Sequence, residues 1–238
     1  MAKSRGRLFF ATECDEAAGR AILSEEEAHH AHRVLRLRVG DEVGVLCDGH
    51  RYPGVLENGA VVRLTGTGES QSRPRLSVYV GVGRPKSPAA SAIVEAATEL
   101  GAVEIAFFTS ERSVVRTPGG DSRWRRVTYE ACKQCGRYSP PRVWEPIDLA
   151  AWADRLPTDA VRLRLAEADG CPAIGSGLDS TQAVALLFGP EGGLSPAEES
   201  LAAQMGFAPV SLGPLVLRVE TAVAAAVARL GPMIWRVE

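Results

Sequence analysis

The chain has 238 residues, of which 45% are hydrophobic and 24% are charged, and its net charge at neutral pH is −2. This length suits one large domain or two unequal ones, and the composition is typical of globular proteins, which excludes disordered and fibrous classes. No apolar run approaches the roughly 18 residues that a membrane span needs, and the N-terminus lacks the apolar stretch of a signal peptide. We therefore expect a cytoplasmic protein with no membrane partner.

Arginine accounts for 24 of the 27 basic residues. Residues 111–142 hold eight basic residues against three acidic ones, so this segment is positive although the whole chain is slightly acidic. Guanidinium groups bind phosphate in a planar, bidentate manner, so the cluster suggests contact with nucleic acid. The total Arg count has an alternative explanation, a GC-rich genome, and carries no weight by itself.

Cysteine and histidine give no sign of a metal site. The five cysteines are an odd number, which argues against a disulfide framework. Cys132 and Cys135 form one CxxC in a helical stretch with no second pair nearby, so zinc would lack its four ligands. His29, His30 and His32 are crowded, but they have neither the His-Glu-x-x-His spacing nor a thiol partner. We predict no metal.

The first seventy residues alternate short strands with bends rich in Gly, Asp and Asn. Strands are predicted at residues 7–11, 41–49, 51–57 and 60–66. A capping box from Ser24 to Glu27 begins one helix. One apolar face follows it: Ala28, Ala31, Val34 and Leu35. Residues 1–70 are therefore predicted to form a small β-barrel with one helix, joined to the rest by a polar linker at 66–75.

From residue 76 the pattern changes to alternating strands and helices. Strands are predicted at 76–82, 103–110, 161–168, 183–188 and 209–212. Helices are predicted at 91–101 (preceded by an N-cap and Pro at Ser87-Pro88), 122–136, 148–156, 195–205 and 219–231, the last ending at Gly231-Pro232. A second capping box, from Ser195 to Glu198, begins the helix at 195–205. Strands that are apolar throughout and separated by helices predict a parallel sheet covered on both faces, so residues 76–238 are predicted to be an α/β domain.

Three glycine-bearing loops follow strands of this sheet, at residues 165–170, 189–193 and 212–222, the last leading into the final helix. Ligands of open α/β sheets bind at the carboxyl ends of the strands, and glycine lets backbone approach a ligand closely. The chain has no GxxxxGK[ST] motif, no complete GxGxxG and no Lys in these loops, so a phosphate-bearing cofactor fits poorly. A cofactor that is bound through backbone and apolar contacts fits better, and S-adenosylmethionine is such a cofactor. Each loop taken singly is better explained as a tight strand–helix turn, and it is the three loops at one edge that favour a ligand site.

At these loops the sequence resembles a known family. LLFGPEGGLSPAE (186–198) and GFAPVSLGPLVLRVETAVAAAV (206–227) are similar to the RsmE-type small-subunit rRNA uridine N3-methyltransferases of the SPOUT superfamily. ATELGAVEIAFFTSERSVV (97–115), RLFF (7–10) and HRVLRLRVGDEV (32–43) match further blocks of that family in the right order. The resemblance covers nearly the whole chain.

The resemblance implies a PUA-like N-terminal β-barrel followed by a SPOUT domain with a C-terminal trefoil knot, a homodimer, and S-adenosylmethionine bound by the three loops. The implied cofactor contacts are Ala166, Glu167, Phe188, Gly189, Pro190, Gly192, Gly193, Leu212, Gly213, Leu215, Val216 and Leu217. The sequence departs from the family at Leu215, where an Arg is usual. It departs again after Lys86, where Ser87-Pro88-Ala89 replaces Gly-Asp-Arg.

Methylation of uridine N3 requires that the imide proton leave and that the resulting anion be held facing the methyl donor. Arg218 begins the last helix, so we predict that its guanidinium stabilises the anionic edge of the base. A structural ion pair with Glu220 or Glu191 is an equally weighted alternative. Glu191 or Glu220 could act as a base, but a neighbouring Arg would lower the pKa of either carboxyl, and Glu191 could instead orient its loop.

The predicted RNA partner is 16S ribosomal RNA or the small ribosomal subunit, with an unpaired or flipped target base. The predicted RNA contacts are Arg7, Arg33, Arg36, Lys86, Arg112, Arg116 and Arg137. Two alternatives stay open: a methyltransferase of the same superfamily acting on another nucleotide or on a 2′-hydroxyl, and an RNA-binding assembly protein that no longer transfers methyl groups.

Overall fold

A computed structural model of the chain describes residues 7–72, 74–113, 121–167, 170–175, 178 and 183–235. The chain divides into two compact units. The first comprises Met1–Arg73 and Tyr129–Pro140, and the second comprises Pro74–Thr128 and Pro141–Glu238. Because residues 129–140 group with the first unit, the division does not follow a single cut along the chain. No described helix is long and apolar enough to cross a membrane.

The first unit contains a closed barrel. Its elements are β1 (Leu8–Asp15), β2 (Arg20–Leu23), α1 (Glu25–His29), a π-helical turn (His30–Val34), β3 (Glu42–Cys47), β4 (His50–Leu56), β5 (Val61–Leu64) and β6 (Glu69–Ser70). The strand order is β3-β1-β2-β5-β4-β6, and an additional pairing of β3 with β4 closes the ring. Phe9, Val45, Leu56 and Val62 fill its core. The predicted β-barrel is confirmed, while β2 and β6 were not predicted.

The apolar helix face predicted after Ser24 is wrong for its last two residues. Ser24 caps α1 as predicted, accepting a hydrogen bond from the Glu27 N–H at 3.2 Å. Ala31 is buried, but Val34 and Leu35 are 59% and 38% exposed. The helix changes to π geometry at His30, and a wider turn rotates the following side chains away from the face that a 3.6-residue period would place them on.

The second unit contains a six-stranded sheet whose strands are all parallel. Its elements are β7 (Ser77–Gly83), α2 (Ser87–Glu99), β8 (Glu104–Phe108), α3 (Asp121–Cys135, ending in the first unit), β9 (Arg142–Ile147), α4 (Leu149–Ala153), β10 (Val161–Leu165), β11 (Ala183–Phe188), α5 (Pro196–Gln204), β12 (Ala208–Val210) and α6 (Val219–Ile234). The strand order is β12-β10-β11-β7-β8-β9. Apolar clusters cover both faces, which confirms the predicted α/β fold.

Several details of the second unit differ from the predictions. Helix α2 begins at Ser87 with Lys86 as its N-cap, so the predicted N-cap at Ser87 is wrong by one residue. Strand β9 was not predicted, because its sequence is not uniformly apolar and includes a proline. Helix α6 continues through Pro232 to Ile234 rather than ending at Gly231-Pro232. A proline this close to a helix end sacrifices little hydrogen bonding, and the extension places the fully buried Ile234 in the core.

Candidate active site

The three predicted loops follow three adjacent strands. Strand β10 pairs in parallel with β11 on one side and with β12 on the other, so their carboxyl ends meet at one edge of the sheet. Backbone hydrogen bonds join the segment that follows β10 to the end of β12. The Ala166 N–H donates to the Val210 carbonyl at 2.9 Å, and the Ser211 N–H donates to the Pro172 carbonyl at 2.9 Å. The structure therefore brings the predicted cofactor loops together.

The second loop, residues 189–193 (the GPEGG loop), turns tightly after the fully buried strand β11. The Gly193 N–H donates to the Pro190 carbonyl at 2.8 Å, and Gly193 has a φ of +70°, a conformation that favours glycine. The loop also packs closely on β7, since a Cβ added at Gly83 would lie 2.7 Å from the Pro190 nitrogen. Exposed glycine backbone at a strand end leaves N–H and C=O groups open to a ligand.

Arg112 ties the GPEGG loop to the segment that follows β8. Its Nη1 donates to the Gly192 carbonyl at 3.0 Å and to the Leu194 carbonyl at 3.2 Å. Arg112 was predicted to contact RNA, and that role stays a prediction. The structure adds a second role, because one guanidinium nitrogen holds two carbonyls of the candidate cofactor loop.

Glu198 ties the same two segments from the other side. Glu198 occupies the N3 position of α5 and completes the confirmed capping box that begins at Ser195. The Ser195 N–H donates to Glu198 Oε2 at 2.8 Å. Oε2 also accepts from the Ser110 hydroxyl at 3.0 Å, and Oε1 accepts from the Glu111 N–H at 2.9 Å. Burial raises the pKa of Glu198, but these hydrogen bonds outweigh it, so the net pKa lies below the ordinary value of 4.5.

Glu191 lies at the tip of the GPEGG loop. Its Oε1 accepts a hydrogen bond from the Lys86 backbone N–H at 3.3 Å, at the start of α2. This contact fits the alternative in which Glu191 orients its loop. Lys86 itself is exposed, as its predicted RNA contact requires.

The third loop is more open than the second. Gly213 has a φ of +127°, and its N–H donates to the Ser211 hydroxyl at 3.0 Å. Leu215 and Val216 are 77% and 73% exposed, the largest values among the described large apolar side chains. Arg218 is exposed and occupies the N-cap of α6 without capping it through its side chain. In the part of the chain that the structure describes, Arg218 makes no ion pair, which disfavours the alternative pairing with Glu220 or Glu191.

The remaining predicted RNA contacts differ in their surroundings. Arg7 pairs with Asp41 at 3.6 Å on the surface. Arg33 and Arg36 are exposed, and Arg36 has a φ of +54°. Arg137 is half-buried, and burial lowers the pKa of its guanidinium. Arg116 lies outside the described residues.

Sequence reasoning missed the side chains that fix the site. Glu198 was predicted only as part of a capping box, although the same carboxylate also holds residues 110 and 111. A buried ion pair also went unpredicted: Arg84, directly after β7, lies 2.5 Å from Glu145 of β9. No sequence spacing signals either contact, since their partners are 88 and 61 residues away. Among the described residues, no cluster of three or more His, Cys, Asp or Glu could hold a metal.

Comparisons with known proteins identify the family. The family of the RNA methyltransferase domain matches residues 72–231, and that of the RNA methyltransferase PUA domain matches residues 23–60. Ribosomal RNA small subunit methyltransferase E of Synechocystis is 30% identical, covering 89% of this chain and 73% of the relative. Its namesake from Mycobacterium tuberculosis is also 30% identical, covering 94% and 90%.

A solved structure shares the fold throughout. The ribosomal RNA small subunit methyltransferase E of Neisseria gonorrhoeae, crystallised with S-adenosylmethionine, superposes with a TM-score of 0.85 at 25% identity. The match covers 96% of this chain and 98% of that one.

Proposed function

Because the chain belongs to the ribosomal RNA small subunit methyltransferase E family, we propose that it uses S-adenosylmethionine to methylate N3 of a uridine in 16S ribosomal RNA. The observation that carries this proposal is the meeting of three glycine-bearing loops at one edge of a parallel sheet. Loops arranged in this way can bind a cofactor mainly through main-chain groups.

The loops suit S-adenosylmethionine chemically. The cofactor supplies an activated methyl group on a positively charged sulfur. The GPEGG loop is exposed at Gly192 and Gly193, and it contains no Lys or Arg that could bind a phosphate. Apolar side chains of the third loop complete the proposed contacts, which are those implied by the resemblance: Ala166, Glu167, Phe188, Gly189, Pro190, Gly192, Gly193, Leu212, Gly213, Leu215, Val216 and Leu217.

Arg218 is the proposed electrostatic residue. When N3 loses its proton, negative charge spreads over N3 and the two neighbouring oxygens of the base, and a guanidinium can donate to that edge. Arg218 is exposed and has no competing acidic partner among the described residues. It also begins α6, a helix of 16 residues, whose N-terminal partial positive charge favours an anion nearby. Glu191 has the proposed role of orienting the GPEGG loop through the Lys86 N–H rather than of taking the proton.

The target must leave any base pair, since N3 lies on the Watson–Crick edge. Exposed Arg33, Arg36 and Lys86 are the proposed phosphate contacts with the clearest access to solvent. Each RNA phosphate that such a side chain neutralises makes the affinity for RNA fall more steeply as the salt concentration rises. A cytoplasmic location, a homodimer and a trefoil knot belong to the same proposal, supported by similarity to the family over nearly the whole chain.

The test is analysis of 16S ribosomal RNA from a deletion strain by mass spectrometry of its nucleosides. We expect 3-methyluridine to disappear and to return with the wild-type gene. Arg218→Ala should slow methyl transfer by about 10²–10³-fold, the effect of removing one donor to a developing anion. Loss of a different methylated nucleoside would favour the alternative target. An unchanged RNA, together with no calorimetric binding of S-adenosylmethionine, would favour the assembly protein.

A further inference from the structure

The GPEGG loop is held from within by one backbone hydrogen bond, from the Gly193 N–H to the Pro190 carbonyl. Three of its five residues are glycine, and Glu191, Gly192 and Gly193 are exposed. A backbone that must present N–H and C=O groups to a ligand binds more tightly when its conformation is already fixed, because ordering it on binding costs entropy. The loop therefore needs support from neighbouring side chains.

Two side chains supply that support from opposite directions. Arg112 reaches from the segment after β8 to the carbonyls of Gly192 and Leu194, at 3.0 and 3.2 Å. Glu198 reaches back from the first turn of α5 to the same segment, accepting from Ser110 and from the Glu111 N–H at 3.0 and 2.9 Å. Residues 110–113 and 189–198 are thus joined by bonds in both directions.

Each tie involves a charged group, and hydrogen bonds with one ionised partner are shorter and stronger than neutral ones. The Glu198 carboxylate accepts three hydrogen bonds in this cluster, because the Ser195 N–H also donates to it at 2.8 Å. It therefore fixes both the start of α5 and the backbone that carries Arg112. Without Glu198, Arg112 would keep its bonds but lose the anchor of its own segment.

We propose that Arg112 and Glu198 are positioning residues that clamp the GPEGG loop in the conformation that binds S-adenosylmethionine. This inference rests on the proposed function and adds residues that touch neither the cofactor nor the target. It also changes the expected role of Arg112, since the guanidinium nitrogen nearest the loop is engaged by protein carbonyls rather than directed to RNA.

The test measures two affinities for each variant of the full chain. Calorimetry gives the Kd for S-adenosylmethionine, and fluorescence anisotropy gives the Kd for a 16S ribosomal RNA fragment containing the target uridine. We expect Arg112→Ala to weaken cofactor binding about tenfold or more, the usual cost of a hydrogen bond to a charged group, and to change RNA affinity less than about twofold. Glu198→Ala should weaken cofactor binding similarly, and Glu198→Gln by less, because an amide oxygen keeps part of the acceptor set.

Matched controls separate the clamp from general effects. Glu199→Ala removes a carboxylate from the same helix, where Glu199 pairs with Arg164 at 3.1 Å, and should leave the cofactor Kd unchanged. Lys86→Ala should show the opposite pattern to Arg112→Ala, with weaker RNA binding and an unchanged cofactor Kd. Thermal unfolding of each variant checks the fold, and the exposed Arg112 supplies a variant that should fold normally even if Glu198→Ala does not.

The outcomes distinguish this inference from the function. If the wild type does not bind S-adenosylmethionine, the proposed function fails. If the wild type binds it and Arg112→Ala binds it equally well, or loses RNA affinity instead, the clamp is overturned while the function stands. A cofactor Kd weakened equally by Glu199→Ala would also overturn the clamp.

Discussion

The carboxyl edge of the parallel sheet has two halves that are held differently. Over β7, β8 and β11, side chains bridge the loops: Arg112 and Glu198 join residues 110–113 to the GPEGG loop, and Glu191 reaches the Lys86 N–H. Over β10 and β12, backbone hydrogen bonds close to the strands join the loops, such as that from the Ala166 N–H to the Val210 carbonyl. Beyond Ser211 the third loop is exposed, with Leu215 and Val216 at its tip.

The two halves of the edge therefore differ in how far contacts within the chain fix their conformation. The half over β7, β8 and β11 is preorganised by buried and charged contacts within the chain. The tip of the third loop keeps two large apolar side chains, Leu215 and Val216, largely exposed. Mutations in the first half should therefore alter stability and binding together, whereas mutations in the second half should alter binding alone.

The largest effect is expected at the buried ion pair in the first half. The Arg84 and Glu145 side chains are 8% and 1% exposed, and their charged atoms lie 2.5 Å apart. Glu145→Gln would leave a buried, unpaired cation, so we expect the free energy of unfolding to fall by about 3–5 kcal/mol. Urea unfolding followed by circular dichroism measures this. Glu199→Gln, which breaks an exposed pair, should cost less than about 1 kcal/mol, and equal losses in both variants would contradict the comparison.

A smaller effect is expected where β7 touches the GPEGG loop. A Cβ at Gly83 would lie 2.5 Å from the Pro190 Cδ and 2.7 Å from its nitrogen, so Gly83→Ala must displace the loop backbone. We expect a loss of about 1–3 kcal/mol and weaker binding of S-adenosylmethionine. Gly231→Ala is the matched control, because that helical glycine has open space around its Cβ position. It should stabilise the protein by about 0.5–1 kcal/mol, and a Gly83 variant with unchanged melting temperature would refute the prediction.

The clamp also predicts a pH dependence. The hydrogen bonds that Glu198 accepts give it a pKa below its ordinary value of 4.5. Its contribution to stability is therefore complete above that value and is lost as the pH falls through the lower, folded-state pKa. The melting temperatures of the wild type and Glu198→Gln should differ at neutral pH and converge as the pH drops below 4.5. A difference that stays constant into the acid range would contradict this assignment.

The sequence could predict most of the fold because local signals suffice for it. Uniformly apolar strands such as Ala183–Phe188 could only be buried on both faces, and the capping box at Ser195 marked the start of α5. The placement of the three loops at one edge of the sheet also followed, since parallel strands end at the same edge. The failures came where local rules were overridden: the π-helical turn moved Val34 and Leu35 to the surface, and packing of Ile234 carried α6 past Pro232.

The side chains that organise the site could not be predicted in the same way. Arg112 and Glu198 are ordinary polar residues with no motif spacing between them, and their meeting depends on the order β11-β7-β8 in the sheet. Strand order is a tertiary property that periodicity does not reveal. Arg112 was therefore predicted as a surface contact for RNA, whereas the fold directs its Nη1 to the carbonyls of the neighbouring loop.

The smallest effect on stability is expected at the tip of the third loop. Leu215 and Val216 are 77% and 73% exposed, so replacing both with Ser should change the free energy of unfolding by less than about 0.5 kcal/mol. If the loop becomes part of the site when S-adenosylmethionine binds, the same variant should bind the cofactor several-fold more weakly by calorimetry. Val39→Ser, at a 59% exposed position of the first unit, controls for loss of surface apolar area. A double variant that is destabilised like Gly83→Ala would show that the third loop is packed in the free protein, and the two halves of the edge would then be built alike.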